Sequence, residues 1–224
     1  GHLRLAGVRA GRGGLSPVPD RPGAPPRAWQ RMLSGRRLDL LDPSPLDIEI
    51  EDIAHGLARV ARWNGQTFGD HAFSVAQHSL LVERIVRLQQ PDASPRDRLA
   101  ALVHDAPEYV IGDMISPFKA VIDTAYREVE ERLSVAVRLR FGLPAALPQV
   151  LRQRIKKADQ VAAYWEAVRL AGFAEREALR YFGRPGKIGS EAIAELLEPW
   201  PAKRAEFRYL KSFTAMAAAT TEVA

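Results

Sequence analysis

The stretch His104-Asp105-Ala106-Pro107-Glu108-Tyr109-Val110-Ile111-Gly112-Asp113 follows directly on an apolar run from Leu99 to Val103. An apolar run of this kind packs into a core, so it carries a histidine and an aspartate to the core's edge. A carboxylate buried there is costly unless a cation or a strong donor meets it. The fold must therefore bring further polar groups to this point while keeping the flanking segments packed.

Apolar residues at helical spacing supply that packing. Ile53, Leu57, Val60 and Ala61 recur at helical intervals after Glu51-Asp52. Ser74 is a cap for a helix that carries Val75, Leu81, Val82, Ile85 and Val86 and stops at Pro91. Ser94-Pro95-Arg96-Asp97 combines a cap, a proline in the first turn and an acid three residues on. Ser116-Pro117 opens a helix to about Arg140, and a long one runs from about Pro148 to Leu170. Glu175 to Phe182 reads helical, and two helical stretches flank Pro199. Near the start, Ala28 to Leu33 reads as a helical turn. Arg37 to Leu41 reads as a short strand with Ile48 to Ile50 as its hairpin partner. The sum is an all-α bundle with a short β-hairpin near residues 37–50, in one domain over residues 36–224.

Charge separates this domain from what precedes it. Residues 1–37 carry eight arginines against Asp20 alone, a net of +7 in a chain of +5, so the rest is net −2. The Gly/Pro/Arg-rich residues 1–35 read as an irregular extension, and the acidic body argues against nucleic acid as the partner. The chain has no cysteine, which excludes disulfides, thiolate nucleophiles and Cys-based zinc sites. No window approaches the roughly 18 apolar residues of a membrane helix. With no secretory signal visible, cytoplasm is the expected compartment.

His104 and Asp105, roughly 100° apart on a helix, converge on one ion only at a helix edge or end. Glu108 lies four residues from His104 and shares its face if the turn continues. His78 on the preceding apolar helix and Asp159 on the long helix are candidate third and fourth ligands. Two histidines and two aspartates make a mixed N/O set suited to manganese, cobalt, iron, zinc or magnesium. Singly, His78 reads as a core histidine and Asp159 as a surface acid. Their order along three helices is what carries weight.

Those residues also carry a resemblance. Val75-Ala76-Gln77-His78-Ser79, the decapeptide and Lys157-Ala158-Asp159 together resemble the HD-domain metal-dependent phosphohydrolases. Within these the chain is most similar to the bacterial 5'-deoxyribonucleotidase (YfbR-like) branch. The branch pattern HD-x-x-E-x-x-x-G-D-x-x-S/T-P-x-K is matched from His104 through Ser116-Pro117 to Lys119. Arg62-Trp63 stands sixteen residues before His78, close to where that branch keeps an Arg-Trp pair. Coverage runs from about Arg36 to Gly172.

The resemblance implies an HD-domain helical bundle and one divalent cation held by His78, His104, Asp105 and Asp159. It implies Arg62 orienting the phosphate in catalysis, Trp63 near the sugar, and Asp113 and Ser116 contacting substrate. Glu108 would be the proton-transfer residue, and Lys119 is a further phosphate candidate. The implied activity is hydrolysis of 5'-deoxyribonucleoside monophosphates to nucleoside and phosphate, with a homodimer as the implied assembly. The alternatives are a dNTP or other nucleotide phosphohydrolase of the same fold, or a non-catalytic nucleotide-binding regulatory module. His71 competes formally with His78, which is preferred because it lies in the matched string on a helix; His55 is read as a non-ligand. Tyr109 directly after Glu108 counts against the class that hydrolyses guanosine alarmones.

Overall fold

The computed structural model describes residues 27–115 and 124–221, so Ser116, Pro117 and Lys119, and most of the 1–35 extension, lie outside the described residues. The architecture is all-α, as the spacing of apolar residues implies. The helices are α1 (Ile50–Leu57), α2 (Val75–Gln89), α3 (Pro95–Leu102), α4 (Glu108–Ile111), α5 (Thr124–Arg140), α6 (Gln149–Arg169), α7 (Glu175–Phe182) and α8 (Ala202–Thr221). Single turns of 3-10 helix cover Pro45–Asp47 and Arg62–Gly65, and a longer one covers Ser190–Leu197. No helix among the described residues is long and apolar enough to cross a membrane.

Local chemistry starts the helices where the sequence says it should. Ser74 Oγ accepts from Gln77 N–H at 3.2 Å and Ser94 Oγ from Asp97 N–H at 3.1 Å, each satisfying a donor that a helix start leaves free. The helix stopped by Phe141-Gly142 has its expected end at Arg140; its expected start at Ser116-Pro117 falls on residues not described.

The hairpin differs from the expectation. Arg37–Asp39 pairs antiparallel with Trp29–Arg31, not with Ile48–Ile50, and Trp29 sits opposite Asp39. The turn uses Gly35 at φ +88°, which favours glycine. Ile48 is instead a fully buried residue between the 3-10 turn and α1, and the expected helical turn at Ala28 to Leu33 is replaced by the strand Trp29–Arg31 and the start of the hairpin turn. Long-range bonds select this pairing. Ser34 N–H and Oγ–H both donate to the Asp52 carboxylate on α1, at 3.0 and 2.5 Å. Glu49 joins Arg36 of the hairpin at 2.7 Å to Arg140 of α5 at 3.0 Å.

Helix α2 runs through the centre, buried along most of its length, and packs on α3, α6 and α8. Leu81, Ile85, Leu99 and Leu102 fill the space between them. Gln77 anchors the chain's return. Its amide donates to the carbonyls of Leu196 (3.0 Å) and Glu198 (2.5 Å), and its carbonyl accepts from Trp200 N–H at 3.0 Å. A buried amide that is satisfied on both sides fixes the segment before α8 against the residue next to His78.

Helix α4 is held by a close approach. A Cβ on Gly56 would lie 2.8 Å from Tyr109 O and 2.9 Å from Tyr109 Cβ, so α1 and α4 touch only because residue 56 is glycine. Alanine would gain helix propensity of about 1 kcal/mol, but overpacking of a tight contact costs about 1–3 kcal/mol. Gly56→Ala is therefore expected to lower the unfolding temperature despite the better helix former. It should also reduce activity by displacing α4, which begins at Glu108. Thermal unfolding checks the first and turnover the second; an unchanged melting curve would show that α4 yields freely.

Candidate active site

Polar side chains from four segments converge at the end of α3. His104 and Asp105 occupy the turn between α3 and α4, where neighbouring residues can face a common point. His78 comes from the second turn of α2, and Asp159 from the middle of α6. One ligand atom each from His78, His104 and Asp105 lie within 4.8 Å of one another. Asp159 joins them at His78, with Oδ1 3.1 Å from Nε2. Asp105 Oδ2 is 3.4 Å from His78 Nε2 and 3.2 Å from His104 Nε2. His55 and His71 stand outside this group; His55 faces Glu206 at 3.6 Å, and His71 is exposed.

These atoms fit a cation better than they fit each other. The Nε2 atoms of His78 and His104 are buried and make no hydrogen bond among the described residues. Ligands about 2.1 Å from one ion stand about 3.0–3.4 Å apart when adjacent in octahedral or tetrahedral arrangements, the spacing of the three pairs above, with Asp159 tied to the group through His78 and outside the set that lies within 4.8 Å. The far sides of both rings are fixed. His104 Nδ1–H donates to Ala101 O at 2.8 Å, and His78 Nδ1–H donates to Glu166 Oε1 at 2.5 Å. Each ring therefore presents an Nε2 lone pair to the common centre, as metal-ligating histidines do.

Electrostatics point the same way. Burial, then the Arg62 charge, opposes a proton on His78, yet Glu166, Asp105 and Asp159 outweigh both and hold its pKa well above 6.5. Burial likewise opposes charge on Asp105, but His104 and His78 hold its carboxyl well below 3.8. The centre thus favours positive charge, which a proton or a metal ion can supply.

Beside the centre stands Arg62. It follows an edge interaction that ties residues 60–62 to the start of α2: Arg62 N–H donates to Phe73 O at 2.8 Å and Val75 N–H to Val60 O at 3.0 Å. The chain then turns through Trp63 (φ +56°), Asn64 (+50°) and Gly65 (+74°), left-handed at two residues that bear side chains. Strain of this kind costs about 1–3 kcal/mol per residue and persists where surroundings over-determine it. Here it sets the arginine and the indole side by side. Arg62 Nη1 is 3.4 Å from Asp113 Oδ2, and Nη2 is 3.2 Å from Glu166 Oε2. Burial opposes the guanidinium charge, but Glu166, Asp113, Asp105 and Asp159 hold its pKa above the usual range.

Glu166 is the residue that sequence reasoning missed. It is fully buried on α6 and accepts from His78, from Trp63 Nε1–H at 2.9 Å and from Arg62. Burial raises its pKa, but Arg62 and His78 outweigh this and hold it at about 2. The signal was available. Glu166 is the sole acid between Val161 and Leu170 and lies two helical turns after Asp159, on the same face.

All of this opens on a cavity of about 840 Å³ whose lining includes Arg62, Trp63, Asp105, Glu108, Asp113 and Asp159. Glu108, nearly buried at the start of α4, faces it beside Asp105. Of the sequence-derived site residues, these six meet at one cavity, with His78 and His104 behind them.

Comparison with known proteins places this geometry. A family model described as "5'-deoxynucleotidase YfbR-like" matches residues 53–174, a span that holds every residue of the centre and ends before α7. An uncharacterized protein of Rhodobacter capsulatus is 62% identical over 181 residues, covering 81% of this chain and 92% of its own length.

Glu166→Gln keeps the shape but removes the charge that meets His78 and Arg62. Leaving a buried cation uncompensated costs about 3–5 kcal/mol, and losing a partner of a ligating histidine weakens metal binding about 10- to 100-fold. Both losses are expected in denaturant unfolding and in calorimetric titration with a divalent metal. The depressed pKa gives stabilisation that is complete above 4.5 and lost as pH falls towards about 2. The variant should therefore show a flatter acid limb than the wild type. Wild-type metal affinity in the variant would remove Glu166 from this role.

Proposed function

Because the chain belongs to the YfbR-like 5'-deoxynucleotidase family, we propose that it hydrolyses 5'-deoxyribonucleoside monophosphates to nucleoside and phosphate. One divalent cation would be held by His78, His104, Asp105 and Asp159. The observation that carries this reading is the pair of buried histidine Nε2 atoms facing Asp105, with Asp159 at His78, beside a half-buried arginine. The domain that would carry the activity is residues 36–224.

Bound there, the cation would lower the pKa of a water molecule and offset charge on the phosphoryl oxygens. Arg62 presents its guanidinium to the same cavity and is suited to hold the phosphate in line. Glu108 would take the proton of the attacking water or return one to the departing 5'-oxygen as the phosphorus–oxygen bond breaks. Trp63 walls the cavity next to Arg62, where the sugar follows the phosphate, and Asp113 would hold the arginine's orientation. Ser116 and Lys119 complete the proposed substrate contacts.

Charge favours a monophosphate over a triphosphate. Asp105, Glu108, Asp113, Asp159 and Glu177 line the cavity against Arg62 as the one cationic lining residue among those described. One phosphate would be matched by a cation and an arginine, with Lys119 as a further candidate; three in a row would bring more negative charge beside these carboxylates.

Incubation of metal-loaded protein with deoxyribonucleoside monophosphates, ribonucleoside monophosphates and dNTPs, reading released phosphate, tests the proposal. Fastest release is expected from the first class. Glu108→Gln should lower kcat about 100- to 10,000-fold with little change in KM. His104→Ala should abolish turnover. Tight nucleotide binding without release under manganese, cobalt or magnesium would instead favour a non-catalytic binding module.

A further inference from the structure

The cavity has a second half that phosphate chemistry leaves unused, and its wall is aromatic. Trp63, Phe173, Phe182 and Tyr181 all line it. Gly172 at φ +77° ends α6 and turns the chain so that Phe173 follows. The rings form a continuous chain. Trp63 meets Phe173 at 5.7 Å and Phe182 at 5.6 Å between centroids, and Phe173 meets Phe182 at 5.9 Å and Tyr181 at 6.5 Å.

The two ends of this chain differ. At the inner end, Trp63 is bonded to Glu166 beside Arg62. Phe173 and Phe182 pack on a small buried cluster with Tyr164, Ala167 and Ala178, so a packing role accounts for them. Nothing of the sort accounts for Tyr181. It sits in the last turn of α7 and lines the cavity, yet 61% of it is exposed. The Arg180 guanidinium stands over its ring, 5.7 Å from the centroid, and leaves most of the side chain exposed. A largely exposed aromatic ring that lines an open cavity gains from stacking with a planar ring. Tyr181 and Phe182 also follow the family-matched stretch, which ends at residue 174.

We propose that Tyr181, at the outer end of the Trp63–Phe173–Phe182 wall, is the base platform of the site and selects purine over pyrimidine deoxyribonucleoside monophosphates. The inference rests on the nucleotidase reading above and adds to it the group that recognises the base. Stacking needs no particular pattern of donors, so every base is accepted, and the larger purine face gains more. The ester end is then read at Arg62 and the base end at Tyr181.

Steady-state kinetics on the metal-loaded full chain, with dAMP, dCMP and 2-deoxyribose 5-phosphate, test this. The last carries the same ester without a base. In the wild type, KM should rise from dAMP to dCMP to 2-deoxyribose 5-phosphate. In Tyr181→Ala, the ratio of KM for the baseless ester to KM for dAMP should fall about tenfold, and Tyr181→Phe should restore it. An unchanged ratio in Tyr181→Ala overturns the platform, as does equal KM for dAMP and the baseless ester in the wild type. If the wild type hydrolyses none of the three, the nucleotidase reading fails, and calorimetric binding of dAMP decides the platform separately. A loss of about tenfold in Tyr181→Ala supports it; equal affinity, or no binding to either protein, overturns it.

Discussion

The site depends on one buried carboxylate. Glu166 has no solvent to ionise into, and it stays charged because four donors from three side chains meet it: one from His78, one from Trp63 and two from Arg62. These donors belong to different parts of the chain, so the carboxylate also fixes where those parts sit. Its bond to His78 Nδ1 turns Nε2 toward His104 and Asp105, a group that could hold a metal ion. Its bonds to Arg62 and Trp63 hold the arginine within reach of the same cavity.

Such an arrangement carries strain, and the surroundings supply what offsets it. Trp63 and Asn64 are held left-handed. The residues before them are paired to the start of α2, and the indole beyond them is bonded and packed between Phe173 and Phe182. The same pairing that places Arg62 also leads into Ser74, the cap of the helix that carries His78. His78 and Arg62 are thus positioned by one stretch of backbone, residues 60–78. Gln77, satisfied on both sides, keeps that stretch rigid against the segment before α8.

Much of the fold was legible because its signals are local. Ser74 and Ser94-Pro95 cap helices through bonds to residues three positions on, a chemistry written entirely in neighbouring side chains. The hairpin was harder. Alternation over three residues identifies Arg37–Asp39 as a strand but does not choose its partner. The choice of Trp29–Arg31 is reinforced by Ser34 reaching Asp52 on α1 and by Glu49 bridging Arg36 and Arg140. In the site, the order of His78, His104-Asp105 and Asp159 named candidates, while Glu166 went unnoticed because a lone acid in an apolar helix reads as surface until its partners are known.

By itself, then, the sequence determined where capped helices such as those at Ser74 and Ser94 begin, that they bury an apolar face, and that a histidine and an aspartate sit at the edge of that core. Only the tertiary structure decided which side chains meet. Glu166 lies 88 residues from His78 and 104 from Arg62, and no local preference reports on such a pairing. The same is true of Tyr181, which reaches the cavity of Arg62 only because α7 packs beside α6. Propensity and capping act within a turn of helix; the burial of charge is decided by whatever the completed core brings within hydrogen-bonding distance.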